Sequence, residues 1–331
     1  MMNLNKIMFL LLLLFSSIYT ISTNSWISCW MGLEINLFSF IPLIYSNSKF
    51  NSESMMKYFI IQVISSSMFL ISIIFLSLNF INLSWSYLIM NLSLFMKMGS
   101  APFHLWYVQI IEGLKWNNCF MLFTWQKMAP MILLTYNYLY TILILIILLN
   151  SFFGAIESVN QISLRKILTF SSINHMGWML MILMLNEIIW FTYFFLYALI
   201  LINLIITFNI MNLINLNQIY MLKNNFLISL IILINMLSLG GLPPFLGFYI
   251  KWISIYYASL NNLLFIIILM LISSLIILYA YMRISYFSLT LLNFKTKWFN
   301  LFLSNNLSNK FLFFFLFFSM FFLNISSLLY F

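Results

Sequence analysis

The sequence predicts an all-α polytopic membrane protein with about eleven transmembrane helices, and three observations carry that prediction. Only 6% of the 331 residues are charged, where a soluble domain carries about 25%. Hydrophobic residues make up 64%, in runs that repeatedly reach the ~20 residues needed to cross ~30 Å of hydrocarbon. Those runs are continuous rather than alternating, so the spans are helices and not barrel strands.

Polar breaks place the spans near 7–22, 26–45, 58–78, 83–112, 117–137, 139–157, 167–185, 187–211, 225–260, 262–284 and 311–331. The first has one lysine before a short apolar core. No A-x-A-type cleavage site follows, so it is expected to be retained rather than removed as a signal peptide. Sidedness gives an independent check. Lys6, Lys49, Lys57, Lys115, Arg165, Lys166, Lys223, Arg283, Lys295, Lys297 and Lys310 all fall on the N-terminal side of that span order, eleven of the 14 cations. A wrong span count would scatter them. The N-terminus is therefore expected on the matrix or cytoplasmic side, and Phe331 on the other.

The three cations left over, Lys97, Lys127 and Lys251, lie inside spans, and Glu34 lies about midway along the second. Burial penalises the charged form of such groups. Each could be half of a structural ion pair or a lysine reaching for the interface. Intramembrane ionisable groups are expensive, however, and mark ion pathways or proton relays. His104 stands seven residues after Lys97, and His175 follows Asn174 within the seventh span. Both can titrate near neutrality, although a lone helical histidine is more often a packed, hydrogen-bonded group. They are secondary candidates for the same relay. Glu112, Glu157 and Glu187 sit near span ends and read as interfacial.

Two spans are interrupted. The fourth holds Gly99, Ser100, Ala101 and Pro102 at its middle, and Pro102 leaves the Met98 carbonyl without a helical partner. In the ninth, Gly240 and Gly241 precede Pro243 and Pro244, which release the carbonyls of Leu239 and Gly240. A mere proline kink is the bland alternative, evenly matched with a break at Pro102, whereas the Gly-Gly-Leu-Pro-Pro run favours a real interruption. Non-helical backbone at membrane depth survives where it lines a protein or water-filled cavity. The breaks lie five spans apart. A five-helix repeat returns inverted, so the chain divides into a first repeat, 1–137, a second, 138–284, and a loop with a final span, 285–331. Inverted repeats with paired broken helices are a transporter signature that puts ion sites at the breaks.

Several functions are excluded. The formal charge of +9 is spread singly between spans, without the basic run or aromatic-basic surface that nucleic acid requires. Cys29 and Cys119 have no partner at metal spacing and read as small buried hydrophobes. There is no phosphate loop, nucleophile triad, haem or iron–sulfur ligand set, so neither a catalytic redox site nor a metal site is expected in this chain. The skew toward Phe, Ile, Leu, Asn and Met, with 23 methionines, fits an A/T-rich organelle gene.

The segments WMGLEINLFSFIPL, KMGSAPFHLW, TWQKMAPM, VNQISLRKILTFSSINHMGWM and GGLPPFLGFYIKW resemble, in this order, the NADH–ubiquinone oxidoreductase chain 2 family. These are mitochondrially encoded, antiporter-like subunits of respiratory complex I. The likeness covers roughly residues 26–260. It implies a proton-pumping membrane-arm subunit of the mitochondrial inner membrane, with other complex I membrane-arm subunits and lipids as partners. It further implies that NAD, FMN, iron–sulfur clusters and ubiquinone are bound by other subunits. Carried over by motif, Glu34, Lys97, Lys127 and Lys251 match the family's membrane glutamate, first-break lysine, central lysine and second-break lysine. The chain departs from the family pattern at Val108-Gln109, at Glu157-Ser158 and at Ile250. A free-standing cation/proton antiporter would use the same lysines, and a scaffold subunit would keep them as frozen ion pairs.

Overall fold

A computed structural model describes residues 4–46, 48–78, 83–221 and 226–292. Fourteen helices are described: α1 (Leu4–Ser22), α2 (Trp26–Ile44), α3 (Lys49–Leu78), α4 (Leu83–Met98), α5 (Leu105–Gly113), α6 (Trp116–Phe123), α7 (Trp125–Tyr136), α8 (Tyr140–Val159), α9 (Leu164–Leu183), α10 (Glu187–Ile210), α11 (Leu216–Met221), α12 (Phe226–Gly240), α13 (Leu246–Leu260) and α14 (Leu264–Leu292). Among the described residues the only β pairing is an isolated antiparallel bridge between Ser163 and Asn215. The predicted last span, 311–331, lies outside the described residues, as do Lys223, Lys295, Lys297 and Lys310 of the sidedness count.

Six of these helices are long and apolar enough to cross a membrane: α1, α2, α3, α8, α10 and the Leu264–Ile284 part of α14. Large apolar side chains such as Phe15, Phe38, Phe265, Ile268 and Leu275 stand exposed on them. A water-soluble surface does not carry so much exposed apolar area, whereas lipid demands it. The chain is a multi-pass membrane protein. Serines and threonines inside the helices satisfy themselves locally: the hydroxyls of Ser16, Thr20, Ser72, Ser93 and Ser171 each donate to the carbonyl three residues back.

The chain forms two compact units, Met1–Asn150 and Ser151–Phe331. In the first, α3 packs on α2, α4 and α5, α1 packs on α2, and α7 rests mainly on α4, α6 and α1. In the second, α9 is the central helix, buried from Ile167 to Leu183 and packed on α10, α13 and α14.

Three predicted spans are each two helices. The fourth stops at Met98 and resumes at Leu105; the ninth stops at Gly240 and resumes at Leu246. The fifth is interrupted at Thr124, which joins α6 to α7 with φ −117° and ψ −77°. That third interruption is absent from the sequence reading. Its nearest cue is Pro130, which removes the N–H that would meet the Gln126 carbonyl.

Candidate functional site

The two Gly/Pro interruptions share one local structure. At the first, Gly99 adopts φ +67°, its N–H donates to the Met96 carbonyl at 3.2 Å, and the Ser100 N–H donates to Phe95 at 3.1 Å. At the second, Gly241 adopts φ +80°, its N–H donates to Ser238 at 3.1 Å, and the Leu242 N–H donates to Leu237 at 3.3 Å. Both are Schellman turns with glycine in the left-handed position, where a Cβ would be strained. Pro102 and Pro244 follow their glycines by three residues, so neither helix can continue.

What the turns leave over is satisfied differently. At the first, the N–H of Ala101 would have met the Lys97 carbonyl had the helix run on. Instead it donates to Asn150 Oδ1 at 2.6 Å, and the freed Lys97 carbonyl accepts from Gln62 Nε2 at 3.2 Å. At the second, the Gly240 carbonyl, deprived of a donor by Pro244, accepts from Lys251 Nζ at 2.7 Å. The Lys251 stem lies against Gly241 so closely that a Cβ there would stand 2.8 Å from Lys251 Cδ.

Each candidate residue has a defined place. Lys97, 6% exposed, ends α4, where the negative end of the helix dipole favours a cation. Its ammonium makes no hydrogen bond to a described residue. It lines a small cavity with Leu33, Asn36, Leu37, Tyr58, Gln62, Gln126 and Pro130. Glu34 is half-buried on α2 and acts on Lys97 electrostatically, without direct contact between the two. Lys127, 1% exposed, is in the first turn of α7 with Nζ 4.9 Å from the centre of the Tyr107 ring, a cation–π contact. That ring also packs under the first interruption, where a Cβ on Gly99 would meet Tyr107 Cβ at 2.9 Å. In the first unit Lys97 lines the cavity, and Lys127 stands over the Tyr107 ring, which packs under the interruption that follows Lys97.

His104 is buried at the start of α5. In the second unit, His175 Nδ1 lies 2.8 Å from the Tyr193 hydroxyl, and its ring is 4.9 Å from that of Tyr197. Asn174 beside it donates to the Ser151 carbonyl and to Ser273 Oγ, both at 3.2 Å. Arg283 holds the end of α8 by donating to the carbonyls of Val159 and Gln161 at 2.8 and 2.9 Å. Cys29 and Cys119 are buried and are not joined in a disulfide. The sequence reading passed over Asn36, Tyr58, Gln62, Gln126 and Asn150. Their one signal was an amide or hydroxyl inside a long apolar run.

A family model described as NADH:quinone oxidoreductase/Mrp antiporter, TM, matches residues 23–277. A protein named NADH-ubiquinone oxidoreductase chain 2 from Anopheles gambiae is 45% identical over 94% of this chain and 92% of its own length. Its namesake from Aedes aegypti is 42% identical over 93% of each. Among solved structures, a chain of respiratory complex I from Thermus thermophilus superposes with a TM-score of 0.80 at 21% identity, over 86% of this chain and 71% of that one. A chain of the Mrp complex from a Dietzia species gives 0.74 at 15% identity, over 83% and 59%. At such identities the structural likeness speaks for the fold.

Proposed function

The chain belongs to the NADH:quinone oxidoreductase/Mrp antiporter transmembrane family, and from that premise we propose that it is a proton-translocating membrane-arm subunit of respiratory complex I. The observation that carries the reading is 45% identity to NADH-ubiquinone oxidoreductase chain 2 along nearly the whole of both chains. The chain itself holds no redox centre in this reading. NAD, FMN, iron–sulfur clusters and ubiquinone belong to other subunits, and the electron transfer they perform drives proton movement here. The complex sits in the mitochondrial inner membrane, with this chain's N-terminus toward the matrix and its C-terminus toward the intermembrane space.

Glu34, Lys97, Lys127 and Lys251 are the proton-carrying groups, with His104 and His175 as further members. Their place supports this: Lys97 and Lys127 are buried in the first unit and Lys251 in the second, and ionisable groups buried in membrane helices mark proton pathways. The cavity beside Lys97 is lined by the polar side chains of Asn36, Tyr58, Gln62 and Gln126, which can hydrogen-bond a water beside its ammonium. Lys127, over the Tyr107 ring, follows in the same unit. Two interrupted helices, one in each unit and each a glycine turn three residues ahead of a proline, support inverted five-helix repeats within about eleven spans.

Gentle extraction and native separation test the assignment. The chain is expected to migrate with a large assembly that carries flavin, iron–sulfur signals and NADH:ubiquinone reductase activity. Migration alone or as a small oligomer, with cation/proton exchange in liposomes, overturns it in favour of a free-standing antiporter.

A further inference from the structure

We propose that Gln126 is a positioning residue for proton transfer, tying the turn of α7 that carries Lys127 to the turn of α2 that carries Glu34. The inference rests on the proton-translocating reading above and adds to it a residue with no charge of its own.

Gln126 immediately precedes Lys127 in the first turn of α7. Consecutive helical side chains diverge by about 100°, so the two point to different places. Lys127 lies over Tyr107, while Gln126 lines the cavity that holds Lys97. Gln126 Nε2 donates to Asn36 Oδ1 at 2.9 Å, and its Oε1 accepts from the Tyr58 hydroxyl at 3.5 Å. Asn36 is fully buried and stands two residues after Glu34 on α2. One amide therefore touches α2 and α3 from the residue beside the central lysine.

The local backbone makes this tie consequential. Thr124 interrupts the helix just before Gln126, and Pro130 withholds the N–H that the Gln126 carbonyl would otherwise accept. The first turn of α7 is thus held weakly by its own ladder. The main packing of α7 is on α4, α6 and α1; it meets the Glu34 helix through the Trp26–Tyr136 ring pair at its far end and, at the Lys127 turn, through this hydrogen bond. A shift of that turn when Lys127 gains or loses charge must move Gln126 in the Lys97 cavity. The Glu34–Lys97 pair and Lys127 are coupled through that movement.

The test measures protons moved per NADH oxidised, and coupled turnover, per assembled complex in sealed membranes. Gln126→Met keeps the size of the side chain and removes both hydrogen bonds. It is expected to slow coupled turnover roughly tenfold, the equivalent of about one hydrogen bond, and to lower the proton ratio. Asn36→Leu is expected to do the same. The two together lose about tenfold rather than a hundredfold, because both cut one link. Asn36→Gln combined with Gln126→Asn, which exchanges the partners, restores the ratio. Were Gln126→Met not to assemble, Asn36→Ser, which shortens only the acceptor, carries the same expectation. A normal ratio in Gln126→Met or Asn36→Ser, losses that multiply, or failure of the exchanged pair to restore pumping overturns the proposal. Lys127→Met separates the levels: if it pumps normally, the relay role of Lys127 on which this proposal rests falls, and if it fails while Gln126→Met pumps normally, only the role of Gln126 falls.

Discussion

The two interrupted helices begin as the same object and end as different ones. Each stops in a Schellman turn on a left-handed glycine, Gly99 or Gly241, with a proline three residues on. At the first, neutral amides take the stranded groups: Asn150 receives the Ala101 N–H and Gln62 donates to the Lys97 carbonyl. At the second, the lysine itself does that work, with Lys251 Nζ on the Gly240 carbonyl. The difference teaches that a buried lysine beside a break can be held in two ways. Lys97 is left facing a polar cavity and a distant glutamate, and its charge can change without unpinning the backbone. Lys251 is part of the backbone's own accounting, so its charge state and the geometry of its break are one variable.

The sharpest way to break this contrast is Lys251→Met against Lys97→Met. The former leaves the Gly240 carbonyl buried and unpaired, at a cost of about 2–3 kcal/mol on top of any loss of pumping. It is expected to lower both the amount of assembled subunit and the thermal midpoint of the extracted complex. Lys97→Met is expected to assemble normally, because its ammonium has no hydrogen bond to a described residue to lose. Equal losses of assembly in the two would dissolve the distinction.

Gly241→Ala comes next. It forces an L side chain into φ +80° at about 1–2 kcal/mol and pushes a methyl into the Lys251 stem. The same exchange at Gly99 strains the turn equally but presses on Tyr107, the ring under Lys127. Thermal midpoints of both are expected to fall by similar amounts, and coupled turnover separates which lysine each disturbs.

Gln62→Leu strands the Lys97 carbonyl for about 1–2 kcal/mol, and Asn150→Leu does likewise for the Ala101 N–H. Limited proteolysis or thermal inactivation of the assembled complex reads both, and the second break is expected to be indifferent. The smallest effect belongs to Lys57→Gln. It cuts an exposed i,i+4 pair with Glu53, 2.7 Å apart, for about 0.5 kcal/mol or less. A larger effect would mean that surface charge, rather than the breaks, dominates stability.

Much of this was legible in the residues. Composition and run length establish helices in lipid, because no other backbone state satisfies itself there. The in-span lysines stand out because lipid makes each ion expensive, and proline predicts which carbonyls are stranded. What the sequence does not encode locally is who answers those carbonyls. Gln62 lies 35 residues from Lys97, and Asn150 lies 49 from Ala101, so their pairing is a product of helix packing. Gln126 was hidden for the same reason, since its partner Asn36 is 90 residues away. The Thr124 interruption was hidden because threonine carries no helix-breaking signal of its own. The equivalence of the breaks was visible in the Gly/Pro spacing, but their difference depended on which way one lysine side chain turned.

The central claim is that this chain carries protons through its buried lysines as part of the respiratory assembly. The most direct test is the number of protons translocated per NADH oxidised by Lys97→Met in sealed membranes, normalised to assembled complex. A clear fall in that ratio with assembly intact is the predicted result, and an unchanged ratio at full assembly would contradict the account.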